Sequence, residues 1–87
     1  MYIEKVVLEL ETGLHARPAL KLVNTASKFS SEIKLIIDGE EFNAKSIMGL
    51  LSIGATKGDV FIIKAEGEDA EEAVEGIKKV ICKDSMN

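Results

Sequence analysis

The chain has no second cysteine. Cys82 stands alone, so no internal disulfide can staple the fold and no thiol cluster can hold a metal. There is also a single histidine, His15, with neither cysteine nor an acid cluster beside it in sequence, which leaves too few ligands for a metal site. Neither a metal nor a cofactor is expected. Basic residues are in deficit. Eleven stand against fifteen acids, for a net charge of −4 and a pI near 5.0, which argues against direct nucleic-acid binding. Nor is there a long uncharged apolar run: the opening residues MYIEKVVLELE carry charges throughout, so neither a signal peptide nor a transmembrane helix is expected. The expected location is cytoplasmic, without membrane insertion. Repeats, linkers and low-complexity segments are missing as well.

What is present is a globular composition, with 46% hydrophobic and 30% charged residues in 87 positions. That length reads as one domain spanning 1–87, with a small core that buries roughly 60–70% of the unfolded surface. Charge is unevenly spread. From Thr12 to Ser31 there is no acid, and Arg17, Lys21 and Lys28 give that window +3. From Glu66 to Glu75 there are six acids and no base. One part of the molecule should prefer an anion or acidic partner, while the other is a solvated acidic face. Taken alone, Lys21 and Lys28 read as the polar side of a helix.

Val6, Leu8 and Leu10 alternate with Lys5, Val7 and Glu9, which predicts a first strand with one buried face. After Thr12-Gly13, helical spacing carries Ala16, Ala19, Leu22, Val23 and Ala26 on one stripe up to Phe29. Pro18 is harmless only in a first turn, which starts that helix at about His15. Ile33, Leu35 and Ile37 alternate, and Asp38-Gly39 predicts a tight hairpin into residues 40–43. Ser46 is a natural N-cap for a short apolar helix holding Ile47, Met48, Leu50, Leu51 and Ile53. Val60 to Ala65 is an apolar run of strand length. Asp69 with Glu72 resembles a capping box, opening a last helix with Ala70, Ala73, Val74, Ile77 and Ile81 as its core stripe. The order β-α-β-β-α-β-α implies an α+β fold: a two-layer open-faced sandwich with a four-stranded antiparallel sheet covered on one face by three helices.

His15 lies where strand gives way to helix, beside Arg17 and Pro18 and within the acid-free window. Helix N-termini expose unpaired N–H groups and a partial positive charge, so they attract phosphate. The same field disfavours imidazolium and leaves a ring nitrogen lone pair free to attack. Arg17 could fork onto phosphate oxygens. These parts suit accepting a phosphoryl group on His15 and passing it on. A helix-capping histidine with a solvated Arg17 is the competing account.

TGLHARPA at Thr12 to Ala19 resembles the active-site motif of HPr, the histidine-containing phosphocarrier family of the bacterial phosphoenolpyruvate–sugar phosphotransferase system. NAKSIMGLLSIGA at Asn43 to Ala55 resembles the regulatory-serine segment of the family's low-GC Gram-positive members, and AEGEDAEEAV at Ala65 to Val74 resembles its run into the last helix. The resemblance implies an HPr-like fold and a carrier rather than a free-standing turnover enzyme. Enzyme I, charged by phosphoenolpyruvate, would place phosphate on Nδ1 of His15, and IIA domains of sugar permeases would take it. Arg17 matches the arginine that contacts the phosphate. Ala16 and Arg17 would cradle it through their backbone N–H groups, with Pro18 setting the first turn. Ser46 matches the serine modified by HPr kinase/phosphorylase, whose phosphorylated form binds the catabolite control protein in carbon catabolite repression. Leu20, Ile47, Met48 and Leu51 are expected at the partner interface, and Leu50 and Ile53 in the core. A monomer is expected.

Leu20 is bulkier than the small residue common in the family and Leu51 replaces a frequent Met; both bear on partner affinity. Gly76 inside the last helix and Cys82 acquire no role. Two other classes stand beside the carrier. One is a purely regulatory HPr-like module acting through Ser46, which the His15, Arg17 and Pro18 set argues against. The other is a small phosphoryl or acyl-phosphate hydrolase, which would need a water-positioning residue beside the phosphate site, a part for which Asn24 and Asn43 are weak candidates.

Overall fold

The computed structural model describes residues 1–11, 13–14 and 16–82. Its elements follow the expected order: β1 (Tyr2–Val7), α1 (Ala16–Ala26), β2 (Glu32–Ile37), β3 (Glu40–Asn43), α2 (Ile47–Leu51), β4 (Val60–Glu66) and α3 (Ala70–Cys82). The four strands form one antiparallel sheet in the order β1-β4-β2-β3. Strand period two puts alternate residues on opposite faces. Val6 therefore lies opposite Phe61, Ile33 opposite Ala65 and Leu35 opposite Ile63, all buried under the helices. Ile3, Lys5, Val7 and Val60 lie on the other, open face and are exposed. From the helices, Ala19, Leu22 and Ala26 of α1, Leu50 of α2 and Ala73, Val74, Ile77 and Ile81 of α3 complete the core. The expected open-faced α+β architecture is the one observed.

The β2–β3 hairpin turns at Asp38 and Gly39, with φ of 54° and 81°, the doubly positive geometry of a two-residue turn. Ser46 caps α2, its Oγ accepting from the Gly49 N–H at 3.2 Å.

Four boundaries or contacts depart from the sequence pattern. β1 covers Tyr2–Val7 and stops before Leu8 and Leu10. Leu8 is buried in the core beyond the strand, its N–H donating to the Asp59 carbonyl at 2.8 Å, and the Glu9 N–H turns away to the Ile81 carbonyl at 3.2 Å. α1 ends at Ala26 instead of Phe29, whose N–H closes a tight turn onto the Ala26 carbonyl at 3.2 Å; Ala16 is exposed, off the buried stripe. α2 ends at Leu51, its last carbonyls met by the Ser52 N–H and hydroxyl, which leaves Ile53 half-buried beyond the helix. Asp69 does not enter a capping box. Its backbone carbonyl accepts from the Ala73 N–H at 2.8 Å, but its carboxylate accepts from the Ser30 and Ser31 N–H groups, each at 2.9 Å, and from the Ser31 hydroxyl. Distant donors capture the side chain that local spacing assigned to the helix.

Gly76 also gains a reason. A Cβ there would lie 3.1 Å from the ring of Phe29 and 3.3 Å from the Thr25 methyl, so its bareness lets the C-terminal end of α1 pack against α3. Lys78 of α3 pairs with Glu4 of β1 at 2.6 Å.

Candidate functional site

The TGLHARPA segment bridges the exit of β1 and the first turn of α1. Thr12 and His15 lie outside the described residues. Their neighbours frame the position. Gly13 is buried at φ 76°, and the Leu14 N–H donates to the Ala55 carbonyl at 3.1 Å. α1 then begins at Ala16, with Pro18 inside its first turn, where a missing N–H costs nothing. That turn holds no acid, so the positive end of the helix is uncompensated by its own side chains. Ala16 and Arg17 are exposed, and Arg17 has no ion-pair or hydrogen-bond partner among the described residues. The arrangement is an acid-free helix end carrying an exposed guanidinium, unpaired among the described residues and suited to an anion that must come and go. A solvated helix end contributes only about 0.3–1 kcal/mol toward such an anion, which favours exchange over trapping.

α2 packs against α1. Leu20 on α1 and Met48 and Leu51 on α2 are 53%, 76% and 43% exposed, large values for apolar side chains. Ile47 is half-buried against the core and Leu50 fully buried. Ser46 is half-buried at the start of α2. Asn24 is exposed, and the side-chain Oδ1 of Asn43 already accepts from the Lys45 N–H at 2.9 Å. Lys21 and Lys28 are exposed. Cys82 is half-buried, its Sγ 3.7 Å from the Val7 carbonyl.

Sequence reasoning missed the segment 55–59, which lies against the loop before His15. The Gly58 N–H donates to the Leu8 carbonyl at 2.9 Å, and Lys57 pairs with Glu11 at 2.7 Å. Only the glycines at 54 and 58, both at positive φ, hinted at an ordered turn there.

A small open-faced α+β domain, with the TGLHARPA sequence leading into an acid-free helix start, is the class that fold and sequence define. The model of the PTS HPr component phosphorylation site family matches residues 3–83, and the chain belongs to that family. HPr-C-His from Thermoanaerobacter tengcongensis is 47% identical, covering 93% of this chain and 91% of its own, with a TM-score of 0.88. HPr from Bacillus anthracis str. Ames is 40% identical over 92% of this chain and 95% of its own, also at 0.88. The catabolite repression protein Crh of Bacillus subtilis, described as a swapped dimer, is 40% identical over all of both chains at 0.78. Among the described residues no helix is long and apolar enough to cross a membrane.

Proposed function

We propose that the chain is a phosphocarrier that accepts a phosphoryl group from phosphorylated enzyme I on Nδ1 of His15 and passes it to IIA domains of sugar permeases. The observation that carries this reading is the family motif lying across the open, acid-free start of α1, with Arg17 exposed and unpaired among the described residues. In the transfer a P–N bond forms to the imidazole as the donor's bond to phosphorus breaks. Arg17 and the N–H groups of Ala16 and Arg17 offset charge on the phosphoryl oxygens, and Pro18 holds the turn. The 87 residues act as one HPr-like domain and as a monomer. Leu20, Ile47, Met48 and Leu51 supply the docking surface, the exposed Met48 adapting to several partners.

Ser46 is proposed as the regulatory site, modified by HPr kinase/phosphorylase and read by the catabolite control protein. Phosphate at the start of α2 adds charge where the helix end tolerates it, so it acts on docking rather than on the fold.

The test is intact mass after incubation with phosphoenolpyruvate and enzyme I, with His15→Ala alongside. One acid-labile phosphate, absent from the variant and removed by a IIA domain, is the expected result. The similarity to Crh favours a second reading, a regulatory module acting through Ser46 alone. Absence of phosphate on the wild type with a competent enzyme I selects it. Rapid spontaneous loss of the phosphate without an acceptor would instead mark a hydrolase. Light scattering decides between a monomer and a dimer of the kind described for Crh and for HPr of Thermoanaerobacter tengcongensis.

A further inference from the structure

We infer that Asp59 is a positioning residue for the phosphate-accepting loop, acting through the Ala55–Thr56 peptide; this rests on the carrier reading of His15. One Asp59 carboxylate oxygen accepts from the Thr56 N–H at 2.8 Å, while the Asp59 N–H donates to the Thr56 carbonyl at 3.0 Å, closing the turn from both sides. The Ala55 carbonyl, on the other side of the same trans peptide, accepts from the Leu14 N–H at 3.1 Å. A peptide unit is planar, so fixing its N–H fixes the direction of its C=O. The carboxylate therefore sets the aim of the oxygen that holds Leu14, the residue immediately before His15. A charged acceptor on the N–H also polarises the unit and strengthens the bond made by its carbonyl.

The remaining contacts make this peptide the decisive one. The segments are already joined at their far end, where Leu8 exchanges bonds with Asp59 and Gly58 at 2.8 and 2.9 Å. Among the described residues, the side-chain pair between these is the exposed Lys57–Glu11 pair, which screening makes weak. Gly13 also approaches the Ala55 carbonyl so closely that a Cβ there would come within 2.6 Å of it, a second close approach at the same oxygen.

The experiment compares Asp59→Ala, Asp59→Asn and Val74→Ala. Val74→Ala weakens the core under α3 and serves as a control for general destabilisation. In Asp59→Ala, Leu14 amide exchange should rise about tenfold while Leu35 and Ile63 amides hold. Phosphoryl transfer from enzyme I should lose about ten- to hundredfold in kcat with little change in KM, the signature of a misplaced acceptor in an intact docking surface. Asp59→Asn keeps an oxygen facing Thr56 and should restore most of both. Unchanged Leu14 exchange in Asp59→Ala, a rise shared equally by Leu35 and Ile63, or a kcat loss matched by Val74→Ala would each overturn the inference. If the wild type takes no phosphate, the carrier reading fails, and the exchange arm still decides whether Asp59 positions the loop.

Discussion

Asp69 and Ser31, thirty-eight residues apart in sequence, are joined through a single carboxylate oxygen, which accepts from the Ser31 backbone N–H at 2.9 Å and from its hydroxyl. Ser31 is almost wholly buried, and no buried side-chain polar atom among the described residues lacks a partner. With the second oxygen on the Ser30 N–H, the carboxylate fastens the start of β2 to the start of α3.

These donors, the Ser31 hydroxyl first, hold the Asp69 carboxyl below its ordinary value. A depressed folded-state pKa contributes stability above the unfolded value, and that contribution is lost as pH falls through the folded one. Wild type should therefore melt above Asp69→Asn at neutral pH. The two melting curves should begin to converge as pH falls through about 4, where the unfolded carboxyl binds protons, and meet only below the lower folded-state value. Melting temperatures across that range check it, and a gap independent of pH would refute the assignment.

Gly76→Ala sets helix propensity against packing. Propensity alone gains about 1 kcal/mol. The new methyl, however, falls 3.1–3.3 Å from the Phe29 ring and the Thr25 methyl. The Phe29 backbone is tied by its carbonyl accepting from Lys45 Nζ at 2.8 Å, and its ring packs against the core. The substitution should destabilise in the wild-type background and stabilise once Phe29 is Ala, with a coupling of about 1 kcal/mol in a double-mutant denaturation cycle.

Gly13→Ala should cost about 2 kcal/mol or more. It combines a backbone at φ 76° with a methyl 2.6 Å from the Ala55 carbonyl. Urea denaturation gives the stability change. Phosphate acceptance from enzyme I should fall further than stability alone dictates, because the strain lands two residues from His15.

Ser46→Ala removes the acceptor for the Gly49 N–H and should cost about 1 kcal/mol, whereas Ser46→Asp keeps a capping oxygen and should melt within a few degrees of wild type. On the proposed regulatory role, Ser46→Asp should nonetheless raise KM for enzyme I. Thermal melts and transfer kinetics on the same preparations separate the two effects.

Local signals located most of this fold. Alternation of Ile33 and Leu35, the Asp38-Gly39 pair and the Ser46 cap each act over a few residues, and each appears as expected. Pro18 and the acid-free window likewise placed the start of α1 beside His15. What escaped was set by partners far along the chain. Leu8 looks like strand but is buried against the turn at 58–59, Asp69 looks like a helix cap but is claimed by Ser30 and Ser31, and Gly76 looks idle until Phe29 is seen against it. Asp59 was invisible for the same reason, since its effect passes through a peptide to Leu14.

The strand order has a consequence for how the molecule comes into being. β4, the last strand made, stands between β1 and β2, so Tyr2 finds its neighbour only when Ala65 arrives. As a ribosome releases the chain, the β2–β3 hairpin and α1 can form early, but the first strand waits for nearly the whole polypeptide. The bonds from Leu8 to Gly58 and Asp59, and from Leu14 to Ala55, tie the same two stretches together. Leu8 and Leu14 therefore acquire these anchors in the step that closes the sheet. On the proposed carrier role, a nascent or half-folded chain would hold the histidine without these anchors, and competence to accept phosphate would arrive with completion of the fold.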